Sequence, residues 1–195
     1  MSHWLNRLRA ALGSPTARFT LGDSLASRDA HNAAFPHFAR AAQAGLGQAQ
    51  YRLGRSYLLG LGVPPSVGEA LRWLRRAAEA GYTAAQTQLA ALALQGVSDN
   101  GAAGLFHDGT QEPVSDYQTA EHWCRKAVAA GSAEAKALLG FILTVGPDHL
   151  RDPARGESMY REAAQAGWSR GQLGLAMTLL RDGTTERATE SLALL

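Results

Sequence analysis

The chain has 195 residues, a net charge of +2, and 46% hydrophobic but only 7% aromatic residues. A composition this apolar excludes a disordered chain, and 19 basic against 17 acidic residues give no electrostatic footprint for nucleic acid. The single cysteine, Cys124, excludes an internal disulfide framework and a cysteine-rich zinc site, and no apolar run reaches the roughly 18 residues of a membrane span. Alanine, at 37 residues, carries much of the apolar mass, which points to closely approached helices.

Residues 1–22 hold no acid, and Arg7 and Arg9 interrupt the apolar core that a secretory signal requires. Trp4, Leu5, Leu8 and Leu12 share one side of a helix. A helix covering the first repeat, a membrane-surface helix and an organelle transit segment all fit this stretch, and the covering helix is preferred. The expected compartment is the cytoplasm.

From there the chain repeats itself. One phrase recurs as ARAAQAG at 39–45, LRRAAEAG at 74–81, CRKAVAAG at 124–131 and YREAAQAG at 160–167. Its closing glycines, Gly45, Gly81, Gly131 and Gly167, lie 36, 50 and 36 residues apart. The third unit therefore carries 14 extra residues. Alanine and arginine favour helix, and the glycine suits a left-handed end. Eleven residues before each glycine stand Ala34, Ala70, Ala120 and Gly156; eight before, His37, Trp73, Trp123 and Met159; seven before, Phe38, Leu74, Cys124 and Tyr160. These columns predict "B" helices over 31–44, 67–80, 117–130 and 153–166. Four, eight and twelve residues after the glycines run Ala49, Leu53 and Tyr57 with their counterparts, predicting "A" helices over 47–59, 83–95, 133–145 and 169–181. Each unit buries its face only against its neighbours. Pro36 should start or kink its helix.

The second unit reads Ala49-x-x-x-Leu53-Gly54-x-x-Tyr57-x-x-Gly60-x-Gly62-Val63, then Ala70-x-x-Trp73-x-x-x-Ala77-Ala78-x-x-Gly81. This resembles the Sel1-like repeat, a relative of the tetratricopeptide repeat with a longer turn between its helices. The third unit keeps Ala120, Trp123 and Ala127, and the fourth keeps Leu139-Gly140 and Ala163-Ala164. Ser66 stands where the family usually has an acid, Met159 replaces the tryptophan and Ala93 the tyrosine. The first unit, with Leu21-Gly22, Asp29 and Ala34, looks more like a plain tetratricopeptide unit. The resemblance covers roughly residues 17–181. It implies an all-α fold, a right-handed α-solenoid of four to five helix pairs. The expected organisation is an N-terminal segment over 1–16 and a repeat array over 17–195. The array has an insertion at 98–115, read as a surface loop pinned by Leu105 and Phe106. Its last unit is short, consistent with a fragment of a longer array or with an end that packs on a partner.

Chemistry is sparse. No two of the six histidines form a metal-binding pair, and no nucleophile elbow or P-loop is present. Gly60-x-Gly62 is the turn of the repeat rather than a nucleotide fingerprint. His37 is a packed histidine in the tryptophan column, His122 should face out, and Cys124 is an inert core thiol. Arg72, Arg75 and Arg76 form a solvated basic edge with Glu69 and Glu79 at helical spacing. The insertion's acids lack the alternating spacing of a calcium loop. No cofactor, metal or small-molecule substrate is expected.

The resemblance implies a non-enzymatic scaffold that binds other proteins through a concave surface lined by the A helices. Two alternatives remain. One is a hydrolase of the cysteine-rich, β-lactamase-like branch, whose paired cysteines this chain lacks. The other is a structural part of an envelope or polysaccharide-export assembly. Columns two positions off the packed face run Tyr51, Thr87, Ala137, Leu173 and Arg55, Ala91, Phe141, Met177. They predict a groove that begins polar at Gln48, Tyr51, Arg52, Arg55 and Thr87, where Arg52 and Arg55 offer themselves to a carboxylate, and turns apolar toward Phe141, Leu173 and Met177. That groove would take the apolar face of a helix or peptide. Packing of the same residues on neighbouring A helices is the competing reading.

Overall fold

The recurrent phrase ends each time in one backbone device. In the computed structural model, which describes residues 13–97 and 114–181, Gly45, Gly81, Gly131 and Gly167 have φ of 89°, 84°, 87° and 77°. This left-handed conformation costs an L side chain roughly 1–2 kcal/mol and glycine almost nothing. It turns two N–H groups back onto the helix: Gly81 donates to the Ala78 carbonyl at 3.0 Å and Tyr82 to that of Ala77 at 2.9 Å. The same two bonds recur at the other three glycines, so carbonyls otherwise orphaned at a helix end are satisfied.

Nine α-helices follow among the described residues: α1 Pro15–Ala26, α2 His31–Gln43, α3 Gly47–Leu59, α4 Val67–Glu79, α5 Thr83–Leu94, α6 Tyr117–Ala129, α7 Ala133–Val145, α8 Pro153–Gln165 and α9 Ser169–Arg181. A 3₁₀ turn, Asp148–Leu150, lies between α7 and α8. The B helices are α2, α4, α6 and α8, and each ends one residue before the predicted bound. Ala44, Ala80, Ala130 and Ala166 are C-caps with ψ of 5° or 6°, already leaving the helix toward the glycine. Pro36 does not start α2, which begins at His31 and runs through it. The helix forgoes one bond there, to the carbonyl of the exposed Asn32. Helix α1 begins at Pro15, capped by Ser14, two residues before the boundary expected from sequence. The predicted N-terminal stripe, the interior of the insertion and the final short helix lie outside the described residues.

These helices form two compact units, residues 13–89 and residues 90–97 with 114–181. Within each, the A and B helices of a pair approach closely because a small residue faces a large one. A Cβ placed on Gly54 would lie 2.8 Å from Leu74 Cγ and 3.1 Å from the Ala70 carbonyl oxygen. On Gly140 it would meet the Tyr160 ring at 2.8 Å, and on Gly22 the Phe38 ring at 2.9 Å. Phe38, Leu74, Cys124 and Tyr160 are all buried, as are Ala34, Ala70 and Ala120 of the small column. Ala17, Gly22 and the buried faces of α2 and α3, with Phe38, Leu53 and Trp73, make the core of the first unit. Tyr160, Leu175 and Leu179 anchor the end of the second.

The turn from A to B helix is closed by one conserved bond within the chain. The residue that caps the B helix donates its N–H to the last-turn carbonyl of the A helix: Ser66 to Tyr57, Asp116 to Ala93 and Asp152 to Leu143, each at 2.9 Å. The side chains of Ser66, Asp116 and Asp152 in turn accept from the N–H three residues on. Ser66 thus does with a hydroxyl what Asp116 and Asp152 do with a carboxylate. Asp116 keeps the bond although the insertion precedes it, and Ser115 donates to the Leu94 carbonyl at 2.6 Å. Ser115, the last residue of the expected 98–115 insertion, is thus tied to the end of α5.

Three variants test these contacts. Gly81→Ala meets nothing within 4 Å and should cost only the left-handed strain, about 1–2 kcal/mol, in urea unfolding. Gly54→Ala, despite the better helix propensity of alanine, should cost about 1–3 kcal/mol by overpacking. Deleting residues 100–113 while keeping Ser115 and Asp116 restores the shorter spacing. It should move the thermal midpoint by less than about 4 °C, the equivalent of roughly 1 kcal/mol at this size.

Candidate functional site

The groups that carry chemistry in other proteins are occupied with packing here. Cys124 is fully buried, and burial, with the Glu121 carboxylate nearby, pushes its thiol up to about 12, which removes the thiolate that reactivity requires. His37 is half-buried in the tryptophan column, and burial and then the Arg40 and Arg18 guanidinium groups lower its pKa. His122 is exposed, edge-on to Trp123 at 5.1 Å. Among the described residues no group of three or more His, Cys, Asp or Glu side chains stands close enough to hold a metal ion. The basic edge of α4 is solvated but engaged: Arg72 pairs with Glu69 at 2.6 Å and Arg76 lies 4.9 Å from the Trp73 ring centroid. Gly60 and Gly62 have φ of 70° and 76° in the turn after α3, and a side chain on Gly62 would run into the His31 carbonyl.

The residues predicted to line a groove divide between the two units. In the first unit Gln48 is exposed and Tyr51 stacks on Tyr82 with centroids 5.2 Å apart. Arg55 lies over the Tyr51 ring at 5.9 Å. Arg52 is already paired with the Asp23 carboxylate and sits 5.6 Å from the Phe38 ring, so of the two arginines offered to a carboxylate one is taken from within the chain. Arg52 and Arg55 share a recess of about 150 Å³ with Ser27, His31, Phe38 and Ser56. Thr87 does not join any surface. It is 4% exposed and its hydroxyl donates to the Thr83 carbonyl at 3.1 Å. On helix α5 Ala85, Gln86, Leu89, Ala90, Leu92 and Ala93 are also buried, and of the two outward columns only Ala91 keeps partial exposure there.

In the second unit Phe141, Leu173 and Met177 are 38%, 52% and 64% exposed, and they surround one cleft of about 400 Å³. Its walls come from the ends and faces of α5, α7 and α9: Ala91, Leu94 and Gln95; Ala137, Leu138 and Phe141; Arg170, Leu173, Gly174 and Met177. Tyr160 forms the floor, reachable because Gly174 leaves no side chain above its ring. A further recess of about 220 Å³ shares Phe141, Tyr160, Gly174 and Met177 and extends to Val145 and Arg181. Among the described residues the lining holds no carboxylate, and it includes Arg170 and Arg181. Column counting missed Leu94, Leu138, Arg170 and Tyr160. Tyr160 is read as pure core unless the glycine at 174 is noticed.

A family model described as the Sel1 repeat matches residues 47–82, 83–132 and 133–168. The chain is a Sel1 repeat protein. The middle match is the long one and contains the insertion, which fits the retained Asp116–Ala93 bond. A Sel1 repeat protein from Oxalobacter formigenes has a crystal structure similar to this chain, with a TM-score of 0.77 at 27% identity, over 95% of this chain and 71% of that one. A protective antigen present in uropathogenic Escherichia coli strains, displaying an SLR fold, is similar with a TM-score of 0.83. It covers 99% of this chain and 40% of that chain at 24% identity, a likeness of fold. An uncharacterised protein of Neisseria meningitidis serogroup B is 30% identical over 148 residues, and this Sel1 chain spans about a third of that relative, 32% of its length. No helix among the described residues is long and apolar enough to cross a membrane.

The buried thiol sets a pH test. A thiol whose pKa is raised by folding contributes stability that is whole below the unfolded value, about 8.5, and is lost as pH rises toward the folded value. Native protein should resist a thiol reagent at pH 8 and react fully once unfolded in urea. Cys124→Ala should decline less steeply in stability than wild type between pH 8.5 and 11. Rapid labelling of the native protein at pH 8 would contradict the burial.

Proposed function

We propose that this Sel1 repeat protein is a non-enzymatic adaptor, acting in the cytoplasm, that seats a helical segment of another protein in the cleft of its second unit. The observation that supports this is the exposure of Phe141, Leu173 and Met177 around one apolar cavity. Covering the exposed part of these side chains, 38–64% of each, gains about 0.5–2 kcal/mol apiece, and methionine adapts to the shape it meets. The occupant is an amphipathic helix. Its apolar face fills the cleft at i, i+3/i+4 and i+7 spacing. Its flanks carry acids, because the lining offers Arg170 and Arg181 and, among the described residues, no carboxylate. The buried, protonated thiol of Cys124 and the lack of any His, Cys, Asp or Glu group of three or more among the described residues that could hold a metal support a binding role over a hydrolytic one.

The test pairs Phe141→Glu with Met177→Glu. Both variants should keep wild-type helical signal and a thermal midpoint within a few degrees, since both side chains already face water. Both should lose binding to an acidic amphipathic helix selected against the wild-type protein, by at least about tenfold for each buried anchor removed. Gln48→Glu, in the other unit, should leave that binding unchanged. Unfolding of both variants, or unchanged binding in folded ones, would overturn the reading.

A further inference from the structure

The first unit has a recess of its own, lined by none of the residues of the apolar cleft. Helix α3 brings Arg52 and Arg55 to the same recess of about 150 Å³. Arg55 is partly buried over the Tyr51 ring, and among the described residues no carboxylate pairs with it. Arg52 is fixed over the Phe38 ring and held by Asp23. That ion pair is half in water, its side chains 35% and 48% exposed. Solvent screens such a pair, so an incoming anion competes for Arg52 against a weak internal partner.

The remaining walls define what the anion is attached to. Phe38 and Leu61 supply an apolar side. Ser27 and Ser56 also line the recess, but their hydroxyl hydrogens are already donated, to the carbonyls of Ser24 and Arg52 at 3.0 Å each. His31 also lines the recess, its Nε2 3.7 Å from the Asp29 carboxylate; the permanently charged donors there are the guanidinium groups, whose planar forks match an oxyanion. Small-molecule sites usually measure about 300–1,000 Å³, so a recess half the lower bound admits one side chain or terminal group rather than a nucleotide.

We propose that this recess binds an oxyanion carried on a short apolar stem, a carboxylate or a phosphate monoester on a residue of a partner protein, with Arg55 as its principal donor and Arg52 recruited from Asp23. The internal carboxylate acts as a competitor whose removal opens the site.

The experiment titrates the full chain at low ionic strength with phenyl phosphate, with benzoate and with neutral benzamide, followed by amide chemical shifts. One or both anions should move the amides of Ser27, Arg52, Arg55 and Leu61 saturably, and benzamide should not. The anion that binds more tightly identifies the source, phosphorylated or acidic. Arg55→Gln should weaken that binding by about tenfold, the loss of one charged hydrogen-bonding group. Asp23→Asn should strengthen it, by up to about fivefold, an effect opposite in sign to any damage to the fold. Absence of saturable shifts with both anions, equal binding of benzamide, or weaker binding in a folded Asp23→Asn variant would each overturn the proposal. The same titration leaves the Phe141 and Met177 amides still, so failure here and failure of the cleft reading are read separately.

Discussion

The approach of two helices across a missing side chain is the constraint on which this fold depends. In three of the pairs a glycine of the A helix receives the large residue of the B helix: Gly22 takes Phe38, Gly54 takes Leu74 and Gly140 takes Tyr160. Glycine in a helix interior is destabilising by about 0.5–1 kcal/mol relative to alanine, so its presence there needs an offsetting gain. The gain is burial of a whole aromatic or leucine side chain, about 1.5–3 kcal/mol. The one pair whose A helix carries alanine at this register, Ala90, has the smallest residue of the B column, Cys124, and both are fully buried. A cysteine in this chain is thus a volume choice, which is why its thiol is silent as chemistry.

A second pairing varies along the repeats independently of the first. Trp73 is covered by Arg76 at 4.9 Å and Trp123 by Lys126 at 4.7 Å, one turn on. A cation over an indole contributes about 0.5–1 kcal/mol at a partly exposed site. Where Met159 replaces the tryptophan, the residue one turn on is Glu162, which pairs instead with Lys136 at 2.8 Å. In the first unit the ring is His37 and the cation Arg40, and there the charge lowers the histidine pKa instead of gaining from its face. Four repeats have solved the same edge by three local chemistries, each consistent within itself.

Helix positions were legible because glycine marks them physically. A left-handed residue at a fixed offset ends a helix wherever it falls, so four glycines locate four B helices to one residue. The insertion did not disturb this reading, since the Ser66, Asp116 and Asp152 backbone bonds restart each B helix from the preceding A helix rather than from chain length. Surface character was less legible. Thr87 shares a column with exposed Leu173, yet it is itself buried, its hydroxyl donating to the Thr83 carbonyl. Arg52 looked available because its partner, Asp23, lies 29 residues away in sequence. Tyr160 looked wholly interior because a periodic argument sees side chains and not the gap left by Gly174.

These exceptions explain why equivalent surfaces of the two units have diverged. In the first, polar groups satisfy one another: Tyr51 stacks on Tyr82, Arg55 on Tyr51, and Arg52 pairs with Asp23. An incoming group there must exchange one polar contact for another, so affinity rests on charge and geometry and is small per contact. In the second unit the same columns hold Phe141, Leu173 and Met177, which have nothing to exchange but water. They are 38%, 52% and 64% exposed, so part of their apolar surface is not used by the fold. The contrast between a polar surface in one unit and an apolar one in the other follows from a few side chains at equivalent positions of the repeat.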